Sequence, residues 1–376
     1  MRVQISEFYE LPVLSIKELN PPWWLRNGHA QTLYRKFRAP PAIQHRRQRI
    51  ELIDGDYIDL DWALRPDAHS VANNVTEASA VDRESRGSHS HKLVLILHGL
   101  CGCSQSSYVV NLQTLLTQRG IASVAMNFRG CSGEPNRMAR SYHSGESDDL
   151  RAVLAELRAE FPDADISVVG YSLGANVLLK YLGEQGSAAL CSSAVAVSTP
   201  FRLAECSRAM LSGASTLYGR YFVNKLSMSL QEKQQSLELR AKADAQSGST
   251  SGLAAKRVID VRAELDRFQS LNLPSQFRDL WQFDDLVTAP LHGFADADEY
   301  YQQCSSAGFI SGIRCKTLLL HSGDDPIIPV TALPEEKALP EQVGMCLYNR
   351  GGHVGFISSG DKDWLERQIA AYVVEH

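Results

Sequence analysis

No run of about 18 apolar residues occurs anywhere in the 376-residue chain, so nothing in it reads as a membrane-spanning helix or as stable membrane insertion. The opening residues, Met1-Arg2-Val3-Gln4-Ile5-Ser6-Glu7, hold no apolar export segment, which points to a cytoplasmic protein. Cysteine is sparse: eight thiols scattered over this length are expected to stay reduced and not to form a disulfide framework. Cys101-Gly102-Cys103 lacks two further ligands at zinc-like spacing, so no metal is expected there. An excess of one charge is missing too. The net charge of −5 is spread with both signs mixed, leaving no basic stripe for nucleic acid and no polybasic cluster for anionic lipid. The glycine-rich stretch from Arg129 to Arg137 lacks the G-K-[ST] ending of a phosphate loop and reads as a rim loop beside a site.

What is present is apolar material, 44% of residues, enough for a sizeable core. The chain centres on Gly170-Tyr171-Ser172-Leu173-Gly174. Before it, Asp165 to Val169 is a β-branched run that reads as a buried strand; after it, Ala175 to Leu182 is rich in helix formers. A G-x-S-x-G between strand and helix is the context of a nucleophile elbow, where a sharp turn exposes the serine hydroxyl at a helix N-terminus. A nucleophilic serine needs a base, and the base an orienting acid. Downstream, the strand-like Thr317 to His321 opens onto Ser322-Gly323-Asp324-Asp325-Pro326, where either aspartate is at hand. Met345 to Asn349 reads as the last strand and leads to His353 on a glycine-flanked loop.

Other segments frame this centre. Residues 1–48 form an extension of little periodicity, in which Pro21-Pro22-Trp23-Trp24 is expected to bury its indoles as a plug or along a substrate channel with His29-Ala30-Gln31-Thr32. Residues 48–53 and 57–62 alternate in period two about an Asp-Gly turn, the pattern of a hairpin. Residues 66–90 read as a polar surface insertion, with His89 and His91 as loop residues. Lys92 to Leu97 is a near-continuous apolar strand. From Phe201 to about Ser311 the strand-helix alternation stops and the composition turns helical, with a polar tip at 241–254.

Four stretches carry a resemblance: residues 21–32, His98-Gly99-Leu100, residues 127–133 and Gly351-Gly352-His353-Val354-Gly355-Phe356. On these, nearly the whole chain resembles the α/β-hydrolases, and among them the YheT-like hydrolases. The resemblance implies an α/β fold with a mostly parallel sheet. It implies a single domain with core segments 49–199 and 312–376 and a helical cap at 201–311. It implies Ser172 as nucleophile, His353 as base, and Asp325 over Asp324 as acid because it precedes the Pro-Ile-Ile-Pro segment. The oxyanion donors expected in such a fold are the backbone N–H groups of Leu100 and Leu173. Tyr171, Tyr221 and Phe222 are the candidate substrate contacts. The implied activity is cleavage of a small-molecule carboxylic ester without cofactor or metal. The same residues would also suit an acyltransferase using an alcohol acceptor, and the same fold a silent ligand-binding protein.

Overall fold

Lys92 to Leu97 and its counterparts are apolar on both faces, so each face of the sheet they build must be covered. A computed structural model describes residues 18–64, 91–247 and 259–376; the expected insertion at 66–90, His89 and the end of the polar tip lie outside them. The strands are β1 (His45–Glu51), β2 (Tyr57–Ala63), β3 (Lys92–Leu97), β4 (Ala122–Asn127), β5 (Asp165–Tyr171), β6 (Ser193–Val197), β7 (Lys316–Ser322) and β8 (Val343–Tyr348). They form one eight-stranded sheet in the order β1-β2-β4-β3-β5-β6-β7-β8. β2 runs antiparallel to both its neighbours, and every other pairing is parallel. This is the α/β-hydrolase architecture.

Period-two alternation splits the strand side chains between two cores. Leu93, Leu95 and Leu97 join Ile166, Val168, Ala194 and Ala196 on one face. Helices α3 (Ser147–Glu160) and α4 (Leu173–Gln185) cover it with Leu150, Leu154 and Leu178. Val94 and Ile96 join Val169, Tyr171, Val195 and Val197 on the other. There α2 (Ser107–Gln118) and the C-terminal helix α9 (Trp364–Glu375) supply Leu112, Leu116, Leu365 and Ile369.

The N-terminal stretch that lacked periodicity holds a helix, α1 (Gly28–Phe37), capped by the Asn27 side chain. Its buried face is polar: Gln31 and Arg35 point inward, which is why an apolar period does not mark it. Arg35 pairs with Glu366 on α9, and Arg38 with Asp363 at 2.7 Å.

Between β6 and β7 lie α5 (Leu203–Ala209), the long α6 (Thr216–Ser247), α7 (Val261–Gln269), a short helical run at 280–292 and α8 (Ala297–Cys304). They carry a small core of their own, with Leu237, Phe268, Phe283 and Leu291. α6 continues to Ser247, so the first half of the expected tip is helical. Lys233, buried on α6, donates to the carbonyls of Asn136 and Met138 and to the Asn136 side chain, fastening the long helix to the rim loop. Among the described residues no helix is long and apolar enough to cross a membrane.

Trp364 shows how tightly α9 is seated. Its ring lies edge-on to Tyr348 at 5.1 Å and parallel to Phe356 at 6.3 Å, with almost no solvent contact. Trp364→Ala is expected to cost about 3–5 kcal/mol in equilibrium urea unfolding, the usual toll for emptying a buried indole site.

Candidate active site

The serine arrives by a sharp turn. Ser172 follows β5 and caps α4 with φ 52° and ψ −118°, a left-handed conformation that a non-glycine residue adopts only under constraint. Its N–H donates to the Val197 carbonyl at 2.8 Å. The neighbouring glycines are required by space: a Cβ on Gly170 would lie 2.6 Å from Ala175 Cα, and one on Gly174 2.5 Å from the His98 carbonyl. Strand and helix therefore cross with no room for a side chain at either glycine.

Residues distant in sequence meet at the serine hydroxyl. His353 Nε2 lies 2.9 Å from Ser172 Oγ, and His353 Nδ1 lies 2.8 Å from Asp325 Oδ2. Asp325 is fully enclosed, and its other oxygen accepts the N–H groups of Ile327 and Ile328. Burial pushes this carboxyl upward, but His353, with His321 and the Ile328 amide, outweighs it and holds it below the usual carboxylate range. Asp324 faces elsewhere: its Oδ1 accepts the Ser322 hydroxyl and the N–H groups of Gly351 and Gly352, the residues just before His353.

Within Gly99 to Cys103 of the loop after β3, one amide is left free by elimination. Gly99 N–H donates to Tyr108 Oη, Cys101 N–H to Tyr142 Oη, Gly102 N–H to the Gly99 carbonyl and Cys103 N–H to Ser106 Oγ. Among the described residues the N–H of Leu100 has no such acceptor. Leu173, first in α4, has no intrahelical acceptor either. His98 braces the loop: burial lowers its imidazole to about 4, so it is neutral, its Nδ1 lying 2.8 Å from the Gly99 carbonyl while Nε2 accepts Phe128 N–H.

Ser172, Leu100 and Leu173 open onto a cavity of about 400 Å³ between the sheet and the inserted helices. Leu203, Phe222, Leu226, Phe283, Val287 and Leu291 give it an apolar wall. Part of that wall is a π-helical turn at Asp284–Thr288, a rare irregularity found often at functional sites.

Two of the three expected substrate contacts are not in this wall. Tyr171 points to the opposite sheet face because alternation along β5 sends it there; it is buried against Tyr108 with ring centroids 4.7 Å apart. Tyr221 sits on the outer side of α6 beneath the Lys36 ammonium, 3.3 Å from its ring centroid. Phe222, one residue on, lines the cavity. The tryptophans correct another expectation: Trp23 and Trp24 are exposed, and neither they nor residues 29–32 line the cavity.

Residues 31 and 32 do something that spacing did not reveal. Gln31, wholly buried, donates to the carbonyls of Leu25 and Ile357 and accepts Ile357 N–H. Thr32 Oγ1 accepts the N–H of His353 itself at 2.8 Å. Gly352, at φ 60°, lies so close to α1 that a Cβ would stand 2.3 Å from the Gly28 carbonyl. Helix α1 is thus a clamp on the histidine loop. The signal was the polar pair Gln-Thr in a stretch otherwise aromatic and basic.

One further cluster, His143, Glu146 and His292, brings its ligand atoms within 4.8 Å of one another, and its two histidines line the cavity. Burial holds both histidines neutral, at about 3 and about 2. His143 Nδ1 accepts the Gly145 N–H, which leaves the proton on Nε2, facing Glu146 at 3.3 Å. Arg140 also reaches Glu146, at 3.2 Å. A protonated Nε2 and a guanidinium already engage the Glu146 carboxylate, which leaves the group poorly suited to a cation.

Residues 92–359 match the family model described as the alpha/beta hydrolase fold. The chain is 35% identical over 366 residues to "Putative esterase YheT" of Escherichia coli (strain K12), covering 96% of this chain and 94% of that one. It is 26% identical to human "Phospholipase ABHD3", over 95% of this chain and 79% of the relative. It is 28% identical to the "Monoacylglycerol lipase" of Saccharomyces cerevisiae, over 93% and 78%.

Three variants test how the histidine loop is held. Gln31→Leu strands three buried backbone groups and is expected to lower stability by about 3 kcal/mol, measured by thermal melting, with turnover falling at permissive temperature as His353 loosens. Asp324→Asn keeps an oxygen for Gly351 and Gly352 and should lose under ~10-fold in turnover, whereas Asp324→Ala, which leaves those amides unpaired, should lose more.

Proposed function

The chain belongs to the α/β hydrolase family, and from that premise we propose that it is a serine hydrolase of carboxylic esters, acting through an acyl-enzyme on Ser172. The observation that carries this reading is the continuous hydrogen-bonded line from Ser172 Oγ through His353 to Asp325, at 2.9 and 2.8 Å, at the wall of an apolar cavity.

The Ser172 oxygen attacks the ester carbonyl carbon while His353 Nε2 takes its proton. Asp325, held ionised, keeps the Nδ1 proton directed toward itself and stabilises the imidazolium. Negative charge develops on the carbonyl oxygen, and the amides of Leu100 and Leu173 receive it. They need no reorientation, since their neighbours' hydrogen bonds fix the loop in advance. Collapse breaks the bond to the leaving alcohol, which takes the proton from His353. Water then repeats the sequence on the acyl-serine, with His353 again as base, and releases the acid. Helices of residues 201–311 act as the cap that shields these steps from bulk water. The lipid-ester names of two relatives, a phospholipase and a monoacylglycerol lipase, support an acyl chain as the occupant of the apolar wall.

Ser172→Ala is expected to lower kcat/KM for a p-nitrophenyl ester by ~1,000-fold or more without changing the melting temperature, and Asp325→Asn by at least ~100-fold. Activity within about a tenth of wild type in the first variant would contradict the assignment. Chain length supplies a second test. Each methylene buried is worth about 0.8 kcal/mol, so kcat/KM should climb roughly fourfold per fitting carbon from acetate to a medium-chain ester and then level off. Phe222→Ala should flatten that climb, and Tyr221→Ala should leave it unchanged.

A further inference from the structure

Folding assembles cations that are scattered in the sequence. No acidic residue occurs between Glu18 and Glu51, and none between Glu205 and Glu232. The first stretch contains α1 and the second contains the beginning of α6. These two helices lie side by side: His29 stacks on Tyr218 with centroids 5.7 Å apart, and Lys36 covers Tyr221. Arg26, Lys36, Arg220 and Lys225 are all exposed. Among the described residues none of the four has a carboxylate partner, unlike the paired Arg35, Arg38, Arg47 and Arg49. In a protein of net charge −5 this face reverses the sign.

The same face is apolar. Trp23 is 80% exposed, Phe37 78% and Trp24 51%. Helical spacing makes the exposure coherent. On α1, Gly28, Gln31 and Arg35 face inward, which turns Leu33 and Phe37 outward, and Trp24 lies edge-on to Tyr34 beside them. On α6, buried Val223 and Lys233 define the inner side, Leu217 shares the outer side with Tyr221, and half-exposed Met228 stands at the cavity's edge. Isolated surface apolar residues need no explanation, but Leu33 and Phe37 on α1, Leu217 on α6 and the two tryptophans just before α1 together expose more apolar surface than water favours. The patch adjoins the cavity, since Lys225 and Met228 also line it.

We propose that the α1–α6 face docks on an anionic lipid bilayer, with Trp23, Trp24 and Phe37 in the interfacial layer, the four unpaired cations on lipid phosphates, and the cavity mouth turned toward the membrane. Indole and phenyl rings favour the headgroup boundary, and basic residues beside them add attraction to anionic lipid. A second copy of the chain fits the face less well, because a two-fold contact would bring both sets of unpaired cations together. The absence of a polybasic run in the linear sequence does not bear on this, because the cations come from two segments that meet only in the fold. The proposal stands apart from the reading of Ser172.

The full chain is tested by co-sedimentation with phosphatidylcholine vesicles, with and without phosphatidylglycerol. Retention at least ~10-fold stronger on the anionic vesicles, falling with added salt, is expected. The double variant Trp23→Ser/Phe37→Ser and the double variant Arg26→Gln/Arg220→Gln should each lose ~10-fold or more in retention while keeping the wild-type melting temperature. No retention of the wild-type chain on anionic vesicles, or retention of both variants equal to that of the wild type, would overturn the proposal. So would a wild-type dimer by light scattering that Trp23→Ser/Phe37→Ser converts to monomer, with no vesicle retention by either.

Discussion

One hydrogen bond organises the site: His353 Nδ1 to Asp325 Oδ2 at 2.8 Å. It fixes which ring nitrogen faces the serine, and the 2.9 Å approach to Ser172 depends on it. Asp325 is rigid because two backbone amides hold its other oxygen. The histidine, by contrast, stands on a loop, and a loop must be held. Asp324 grips it from one side through Gly351 and Gly352, and α1 grips it from the other through Gln31 and Thr32. The two adjacent aspartates thus divide the work: one orients the imidazole, and its neighbour orients the backbone that carries it.

This arrangement explains why an N-terminal helix with a polar inner face is present at all. α1 contributes little to the apolar cores; its anchors are the Arg35–Glu366 ion pair, the Arg38–Asp363 pair and the bonds of Gln31. A buried ion pair is weak evidence for stability, but here it sets the position of the helix against α9, and so of the clamp against His353. The outer face of the same helix is left to aromatic and basic residues, which gives one element two distinct surfaces.

Much of this was legible in sequence. Apolar runs such as Lys92 to Leu97 could only be buried parallel strands, and the serine pentapeptide between a strand and a helix had one sensible geometry. The order serine, aspartate, histidine, and the choice of Asp325 over Asp324, came with the resemblance to the α/β-hydrolases. Alternation within β5 was legible too, and applied strictly it sends Tyr171 away from the cavity. What could not be read was α1, whose buried side chains are polar and carry no hydrophobic period. Nor could pattern distinguish Tyr221 from Phe222 on α6, since adjacent residues on a helix differ by about 100° and which one faces the cavity depends on how the helix sits. The exposure of Trp23 and Trp24 runs against the ordinary preference of indoles for burial, and only the folded chain shows it.

The most direct test of the serine-hydrolase account is covalent. Incubation with a fluorophosphonate followed by peptide mass spectrometry should show a single phosphonyl adduct on the peptide containing Ser172. In the Asp325→Asn variant the same adduct should form at least ~100-fold more slowly, because the imidazole then presents the wrong tautomer. An adduct on another serine, or none on a folded protein, would contradict the account.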